Sequence, residues 1–285
     1  MSEFESSLRC PVCHADAIQL STAAARCGAC GQEYPSRGGI PALILPTSPL
    51  FVDVRDGASR PAMAFSTDAT RQRDYWESDD VHRPVGHPIV EGFSRQRWQH
   101  LAGLLPLDSV HTALDVGAGS GFSTAYAPPH IEVTATDGSW GMIEKNPCPR
   151  RVLADASALP FPDRSFDLVY CWELLHHVPE PWQVLKEMAR VSRRFVYFFE
   201  PNPLNAAQAA FSLADPEHRW VLRFRRRYTL AQARRAGIRV THYERCGLIF
   251  PNRTPEPLYP LLRALPFSVP KIGISQLVIG DVGAV

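Results

Sequence analysis

The chain is poor in lysine. Of its 30 basic residues only Lys145, Lys186 and Lys271 are lysines, a bias that reads as genome composition before it reads as function. It also lacks an excess of either charge: 30 basic residues face 29 acidic ones, and a net charge of +1 does not mark nucleic acid as an obligate partner. No stretch of about 18 consecutive apolar residues occurs, so no membrane span is expected. The opening MSEFESSL has no basic segment followed by an apolar one, which leaves the cytoplasm as the expected compartment. Seven cysteines are an odd number and do not suit a fully paired disulfide framework. A hydrophobic share of 45% with 21% charged residues is the balance of a globular chain, and 285 residues allow roughly two domains.

Four of the cysteines, Cys10, Cys13, Cys27 and Cys30, fall in two C-x-x-C pairs separated by thirteen residues. In a reducing compartment that spacing reads as metal, because each pair can turn two thiolates toward one point and two pairs complete a tetrahedral shell suited to Zn2+. Pro11 stiffens the first turn, and Gly28 and Gly31 flank the second. Four thiolates leave no position for water, so the expected zinc is structural. The alternative is two reduced pairs without metal. The run from 8 to 46, LRCPVC to ARCGACGQEYPSRGGIPALILP, with Tyr34, Pro35, Gly39, Ile40 and Pro41, resembles a small zinc-ribbon family that includes the activator subunit of several translation-related methyltransferases. That resemblance implies a scaffolding module and a possible protein partner reached through the ribbon.

Between 47 and 88 the density of Pro, Gly, Ser and Asp predicts a linker and approach segment, in which Tyr75 and Trp76 are expected to pack rather than to contact ligand. From 89 to 105, Val90, Phe93, Trp98, Leu101, Leu104 and Leu105 recur near helical spacing, which predicts an amphipathic helix over the coming sheet. The remaining chain, 89–285, is expected to form one domain with C-terminal insertions that cap a substrate cavity.

HTALDVGAGSGFSTAYA reads as strand, tight loop and helix, with Gly117, Ala118, Gly119, Ser120 and Gly121 in the loop. Glycines there let backbone approach a ligand where a Cβ would intrude. IEVTATDGSWGMI then supplies a second strand ending at Asp137, twenty residues beyond Gly117, where a carboxylate can accept from both hydroxyls of a ribose. A third strand precedes Asp155, and a fourth runs from 166 to 171. Taken singly, Asp155 is a helix N-cap and Asp137 a turn residue. Acids at successive strand ends, in this order, favour a ligand site.

The ordered set LDVGAGSG, TDGSWGMI, DASALPFPDRSFDLV and WELLHHVPEP, over about 89–200, resembles the class I S-adenosylmethionine-dependent methyltransferases, in particular the group with the quinone-biosynthesis C-methyltransferases. Gly117, Gly119 and Gly121 are spaced G-x-G-x-G, unlike the G-x-G-x-x-G of nicotinamide-binding loops. The resemblance implies an α/β fold with a Rossmann-like, seven-stranded, mostly parallel sheet and helices on both faces. It also implies S-adenosylmethionine as cofactor: Asp115 near the methionine ammonium, Gly117 to Gly121 beneath the cofactor, and Asp137 with Gly138 at the ribose. Asp155 would accept from the adenine amino group beside the Ala156 amide, with Met142 as an apolar contact and Trp172 lining the pocket.

A proton must leave a hydroxyl, amine or acidic carbon that accepts a methyl group, and CWELLHHVPEP offers Glu173, His176 and His177 as bases, with a structural role for LHHV as the competing explanation. A fifth strand is expected over 194–200, followed by a helix capped by Asn202 with Pro203 in its first turn. Between His218 and Arg239 stand Arg219, Arg223, Arg225, Arg226, Arg227, Arg234, Arg235 and Arg239 with no acidic residue, either a solvated face or an anion-binding patch. A strand over 238–246, a proline-rich insertion and a last strand near 274–279 close the chain. The expected acceptor is a small biosynthetic molecule; an RNA base, served by the ribbon and the arginines, and an inactive scaffold are the alternatives.

Overall fold

The computed structural model describes residues 3–48, 50 and 82–283. Tyr75, Trp76 and most of the expected linker lie outside them. Helix α1 (Glu3–Ser6) leads into four short antiparallel strands in the order β1 (Ile18–Leu20), β2 (Ala24–Cys27), β3 (Glu33–Arg37) and β4 (Ile40–Pro41), a curled sheet that carries the two cysteine pairs. It is seated against the larger domain. Ala42 bridges in parallel to Leu153, the Arg9 N–H donates to the Pro160 carbonyl at 2.9 Å, and Leu8, Tyr34 and Leu43 are buried in the same apolar cluster as Leu159 and Phe161.

Helix α2 (Pro88–Ala102) begins where His87 caps it, Nδ1 accepting from the Ile89 N–H at 3.2 Å, and Pro88 occupies the first turn. It ends three residues before the expected limit, at Gly103. The sheet behind it contains β5 (Thr112–Val116), β6 (Glu132–Asp137), β7 (Arg151–Leu153), β8 (Phe166–Trp172), β9 (Ser192–Pro201), β10 (Arg239–Cys246) and β11 (Ser275–Asp281). Their spatial order is β10-β11-β9-β8-β5-β6-β7, with β11 antiparallel to both neighbours and the pairs from β9 to β7 parallel. This is the seven-stranded, mostly parallel Rossmann-like sheet that the motifs imply.

Strand alternation builds two cores. Leu168, Tyr170 and Trp172 with Tyr197 and Phe199 face α2, whereas Val169 and Cys171 with Val196 and Phe198 face α4 (Pro181–Val191) and the N-terminal curled sheet. Val184, Leu185, Met188 and Val191 form the buried stripe of α4. The chain winds outward from β5 through β6 to β7, then returns to β8 on the other side of β5. Such a reversal opens a crevice at the carboxyl ends of the strands, the place where open α/β sheets bind ligands.

Two local expectations are corrected. The glycine loop is followed by a single 3-10 turn, Thr124–Tyr126, rather than an α-helix. Ser123 and Thr124 spend their hydroxyls on Asp115, and Pro128 and Pro129 stop any continuation. Helix α5 (Ala206–Ala214) is capped by Asn205, whose side chain accepts from the Gln208 N–H at 2.9 Å. Asn202 is instead a buried tie that donates to the Gly273 carbonyl at 2.7 Å, holding the end of β9 to the chain entering β11.

Candidate functional site

A cavity of about 650 Å3 opens at the carboxyl ends of β5, β6 and β8. That volume lies in the range of small-ligand sites. One side is formed by the loop after β5, where Gly117, Ala118 and Gly119 line the wall and Asp137 closes it from β6. Asp137 accepts the Gly119 N–H at 2.8 Å and the Ser139 N–H at 2.9 Å, so the strand-end carboxylate fixes the loop and the start of α3 (Trp140–Ile143) together. Gly138 and Met142 stand beside it on the same wall, and the Asp155–Ala156 turn after β7 completes it.

The glycines have different reasons. Gly117 has φ of 69°, and a Cβ there would lie 2.7 Å from Leu174 Cδ1, a cavity-lining side chain. Gly121 has φ of 98° and its Cβ would meet Pro147 Cδ at 2.6 Å. Gly121 does not line the cavity; its need for glycine comes from packing on Asn146 and Pro147, not from proximity to a ligand.

Asp115 likewise stands back from the cavity wall. It is fully buried behind the loop, where Oδ2 accepts from the hydroxyls of Ser123 and Thr124, and it does not line the cavity. Its Oδ1 has no hydrogen-bond partner among the described residues. Burial raises its pKa to about 7 against the lowering effect of the Ser123, Thr124 and Tyr170 hydroxyls. Asp155 lines the cavity but is already engaged: Oδ2 accepts from Ser48 Oγ at 2.6 Å, and Oδ1 accepts the N–H and hydroxyl of Ser157 at 2.9 and 2.6 Å. The acid is thus both the local turn former and a member of the site.

The opposite side comes from the segment after β8. Trp172, Glu173, His176 and His177 all line the cavity. Glu173 sits at φ of 59° and accepts from Arg97 Nη2 at 2.6 Å; Arg97 also donates to Ser275 Oγ at 2.8 Å. The guanidinium is 1% exposed and packed 4.1 Å from the ring centre of Phe93 and 4.2 Å from that of Phe199. A buried cation so enclosed needs its carboxylate, which makes Glu173 a counterion on the cavity wall. His176 is 1% exposed, with Nδ1 2.8 Å from Glu200 Oε2, and Glu200 accepts the N–H of Leu175 at 2.7 Å. Burial and neighbouring imidazoles hold His176 and His177 well below the usual histidine pKa, so both are neutral near pH 7.

Sequence reasoning missed four contributors. Arg97 carries a legible signal, since it shares a helical stripe with Phe93 and Leu101, all of them buried. His218, His82 and Leu50 carry none in the chain itself, because long-range packing brings them to the cavity. The C-terminal insertion does reach it, through Ile249, Phe250 and Pro251. The arginine run does not line it. Arg223 stacks on Trp220, Arg226 on Tyr243 and Arg235 on Trp182, while Arg239 pairs with Asp281 at 2.6 Å.

In the N-terminal curled sheet, Cys10 and Cys30 sulfurs stand 3.8 Å apart and those of Cys13 and Cys27 3.6 Å, with all four within 4.8 Å of one another. A tetrahedron with 2.3 Å metal–sulfur bonds has edges of about 3.8 Å, so the donor set fits a zinc ion. Tyr34 places its hydroxyl 3.0 Å from the Cys10 sulfur. Among the described residues no helix is long and apolar enough to cross a membrane.

Residues 114–199 match the methyltransferase domain family. Among curated proteins, the chain is 34% identical over 134 residues to the 27-O-demethylrifamycin SV methyltransferase of Amycolatopsis mediterranei, covering 42% of this chain and 46% of that one. It is 39% identical over 118 residues to the demethylmenaquinone methyltransferase of Renibacterium salmoninarum, covering 38% and 48%. The chain spans about half the length of these relatives. In fold it is similar to a Thermotoga maritima SAM-dependent methyltransferase, with a TM-score of 0.53, 18% identity and coverage of 68% of this chain and 92% of the other. It is also similar to the magnesium protoporphyrin IX methyltransferase of Synechocystis with bound SAM, with a TM-score of 0.50, 14% identity and coverage of 77% and 99%.

Proposed function

We propose that the chain is a class I S-adenosylmethionine-dependent methyltransferase acting on a small molecule, related to the quinone-type enzymes, with an N-terminal ribbon built around a structural zinc ion. The observation that carries this reading is the convergence of the Gly117–Gly119 backbone, Asp137 and the Asp155–Ala156 turn on one cavity whose far side carries Trp172, Glu173 and the histidine pair. The residues fit the cofactor. A Cβ on Gly119 would come 3.2 Å from Met142 Cε on the cavity wall, so the bare backbone there leaves a surface for a flat nucleoside.

When bound, S-adenosylmethionine supplies a methyl group activated by its positive sulfur. Asp137 would hold the ribose hydroxyls and Gly138 the adjoining edge. Asp155 and the Ala156 amide would read adenine, with Met142 and Leu50 as apolar contacts. Asp115 serves at one remove, by holding Ser123 and Thr124 so that the loop keeps its shape. Trp172, Phe211 and Phe250 would hold the acceptor and exclude water, and positioning it is the main catalytic task. His177 and His176, neutral and on the same wall, are the bases for a proton leaving oxygen, nitrogen or carbon. Glu173 keeps Arg97 neutralised beside them.

Relatives named for 27-O-demethylrifamycin SV and demethylmenaquinone support a small-molecule acceptor. No observation favours RNA: three of the arginines are occupied by aromatic stacks and a fourth by Asp281. Titration with S-adenosylhomocysteine tests the reading. One site per chain is expected, and Asp137→Ala should weaken it roughly ten- to hundred-fold, the value of about 1.5–3 kcal/mol for hydrogen bonds to a charged acceptor. Absence of binding to the wild-type chain would leave the scaffold alternative.

A further inference from the structure

We propose that His176, His177 and His218 form a second metal site, for a divalent transition-metal ion, in the wall of the cavity and separate from the four cysteines. The use of the ion rests on the methyl-transfer reading; its presence does not.

One ring nitrogen from each of the three histidines lies within 4.8 Å of those of the other two. The rings are 3.9 Å apart between His176 and His177, 5.2 Å between His177 and His218 and 5.7 Å between His176 and His218, centre to centre. They come from two separate stretches, the 3-10 turn Leu175–His177 and the segment Pro216–Arg223, so the gathering is a product of the fold. His176 Nε2 is buried and has no hydrogen-bond partner among the described residues. An unsatisfied buried polar atom is unfavourable, and a ligand on that nitrogen removes the deficit.

The outer nitrogen of His176 is held as in metal-binding histidines, and His218 has a carboxylate close by whose geometry falls short of a hydrogen bond to Nδ1. His176 Nδ1 is 2.8 Å from Glu200 Oε2 and His218 Nδ1 is 3.2 Å from Asp215 Oδ2. A carboxylate on the outer nitrogen orients the ring and turns the inner nitrogen toward an ion. Glu200 is itself held by the Leu175 and His176 N–H groups at 2.7 and 3.2 Å, so this outer support is rigid. Asp215 also offsets part of the added charge. Of the cations on the same cavity, Arg97 is neutralised by Glu173 and Arg253 stacks on Phe211.

Imidazole donors select zinc-like and later transition ions over magnesium or calcium. Bonds of 2.0–2.1 Å require about 3.4 Å between tetrahedral nitrogens, so the rings close inward on loading. Three protein ligands leave a fourth position, and all three histidines line the cavity that holds Gly119 and Asp137. That position suits an oxygen of the methyl acceptor, a hydroxyl or phenol, whose proton would pass to solvent water while the ion holds the resulting anion; with the ion bound, His176 and His177 serve as ligands in place of bases.

The test is cobalt loading of the chelator-stripped full-length protein. Two Co2+ per chain are expected. One gives thiolate-to-cobalt charge transfer and is lost in Cys27→Ser; the other gives d–d absorption without that band and is lost in His176→Gln and in His218→Gln. The half-buried His218 guards against misfolding, which circular dichroism of each variant checks. A single cobalt with a purely thiolate spectrum overturns the proposal, as does a second cobalt that survives both histidine substitutions together. S-adenosylhomocysteine titration of the same samples separates the two readings: binding without a second cobalt defeats only the metal, and a second cobalt without binding defeats only the methyl-transfer assignment.

Discussion

Replacing Asp115 by Asn should change how stability depends on pH. The carboxyl is 0% exposed and its pKa is raised by burial from 3.8 to about 7, despite hydroxyl donors from Ser123 and Thr124 and with Asp137 adding repulsion. An acid whose folded pKa is raised binds its proton more tightly in the folded state. Its contribution to stability is therefore fully present below the unfolded value near 4 and is lost as pH rises through about 7. Three pH units at 1.36 kcal/mol each give a loss of roughly 4 kcal/mol over that window. Asn keeps an acceptor for the two hydroxyls and cannot ionise. Urea unfolding from pH 3.5 to 8 should show the two proteins nearly equal at the acid end, and Asp115→Asn more stable by up to about 4 kcal/mol at pH 8. A difference that stays flat across the range, or one that grows in favour of the wild type, would refute the burial argument and place an ordinary carboxylate behind the loop.

Two further substitutions probe the walls of the site and the ribbon. Glu173→Ala strands the Arg97 guanidinium among Phe93, Phe199 and Trp172, and should destabilise the protein by about 3–5 kcal/mol in chemical denaturation; a loss under 1 kcal/mol would show that the cation finds another partner or water. With zinc on the four thiolates, as proposed, Cys27→Ser should lower the metal content, read by metal analysis, and lower the unfolding temperature, because Leu8, Tyr34 and Leu43 share a core with Phe161; unchanged metal content would defeat the four-thiolate assignment.

The parts of the site that were legible in the sequence are those fixed by local rules. Asp137 and Asp155 could be placed because a parallel strand delivers its last residue, or the turn just after it, to the sheet's carboxyl edge, and Cys10, Cys13, Cys27 and Cys30 because two turns determine where their sulfurs meet. Asp115 and Gly121 were legible as members of the motif, but the packing of Ser123, Thr124 and Pro147 against them behind the loop was not. His218 and Leu50 were not legible at all. Each reaches the cavity only through packing against segments distant in the chain, which no periodicity encodes. The missing helix after the glycine loop is a similar case, since the helix-compatible pattern there yields to side chains recruited by a buried carboxylate.

The most direct measurement is the structure of the protein with S-adenosylhomocysteine bound. The ribose hydroxyls are expected on the Asp137 carboxylate, adenine against the Asp155–Ala156 turn and the sulfur directed toward Trp172 and the histidine pair. A nucleoside seated elsewhere, or one in this cavity with Asp137 turned away from its ribose, would contradict the assignment.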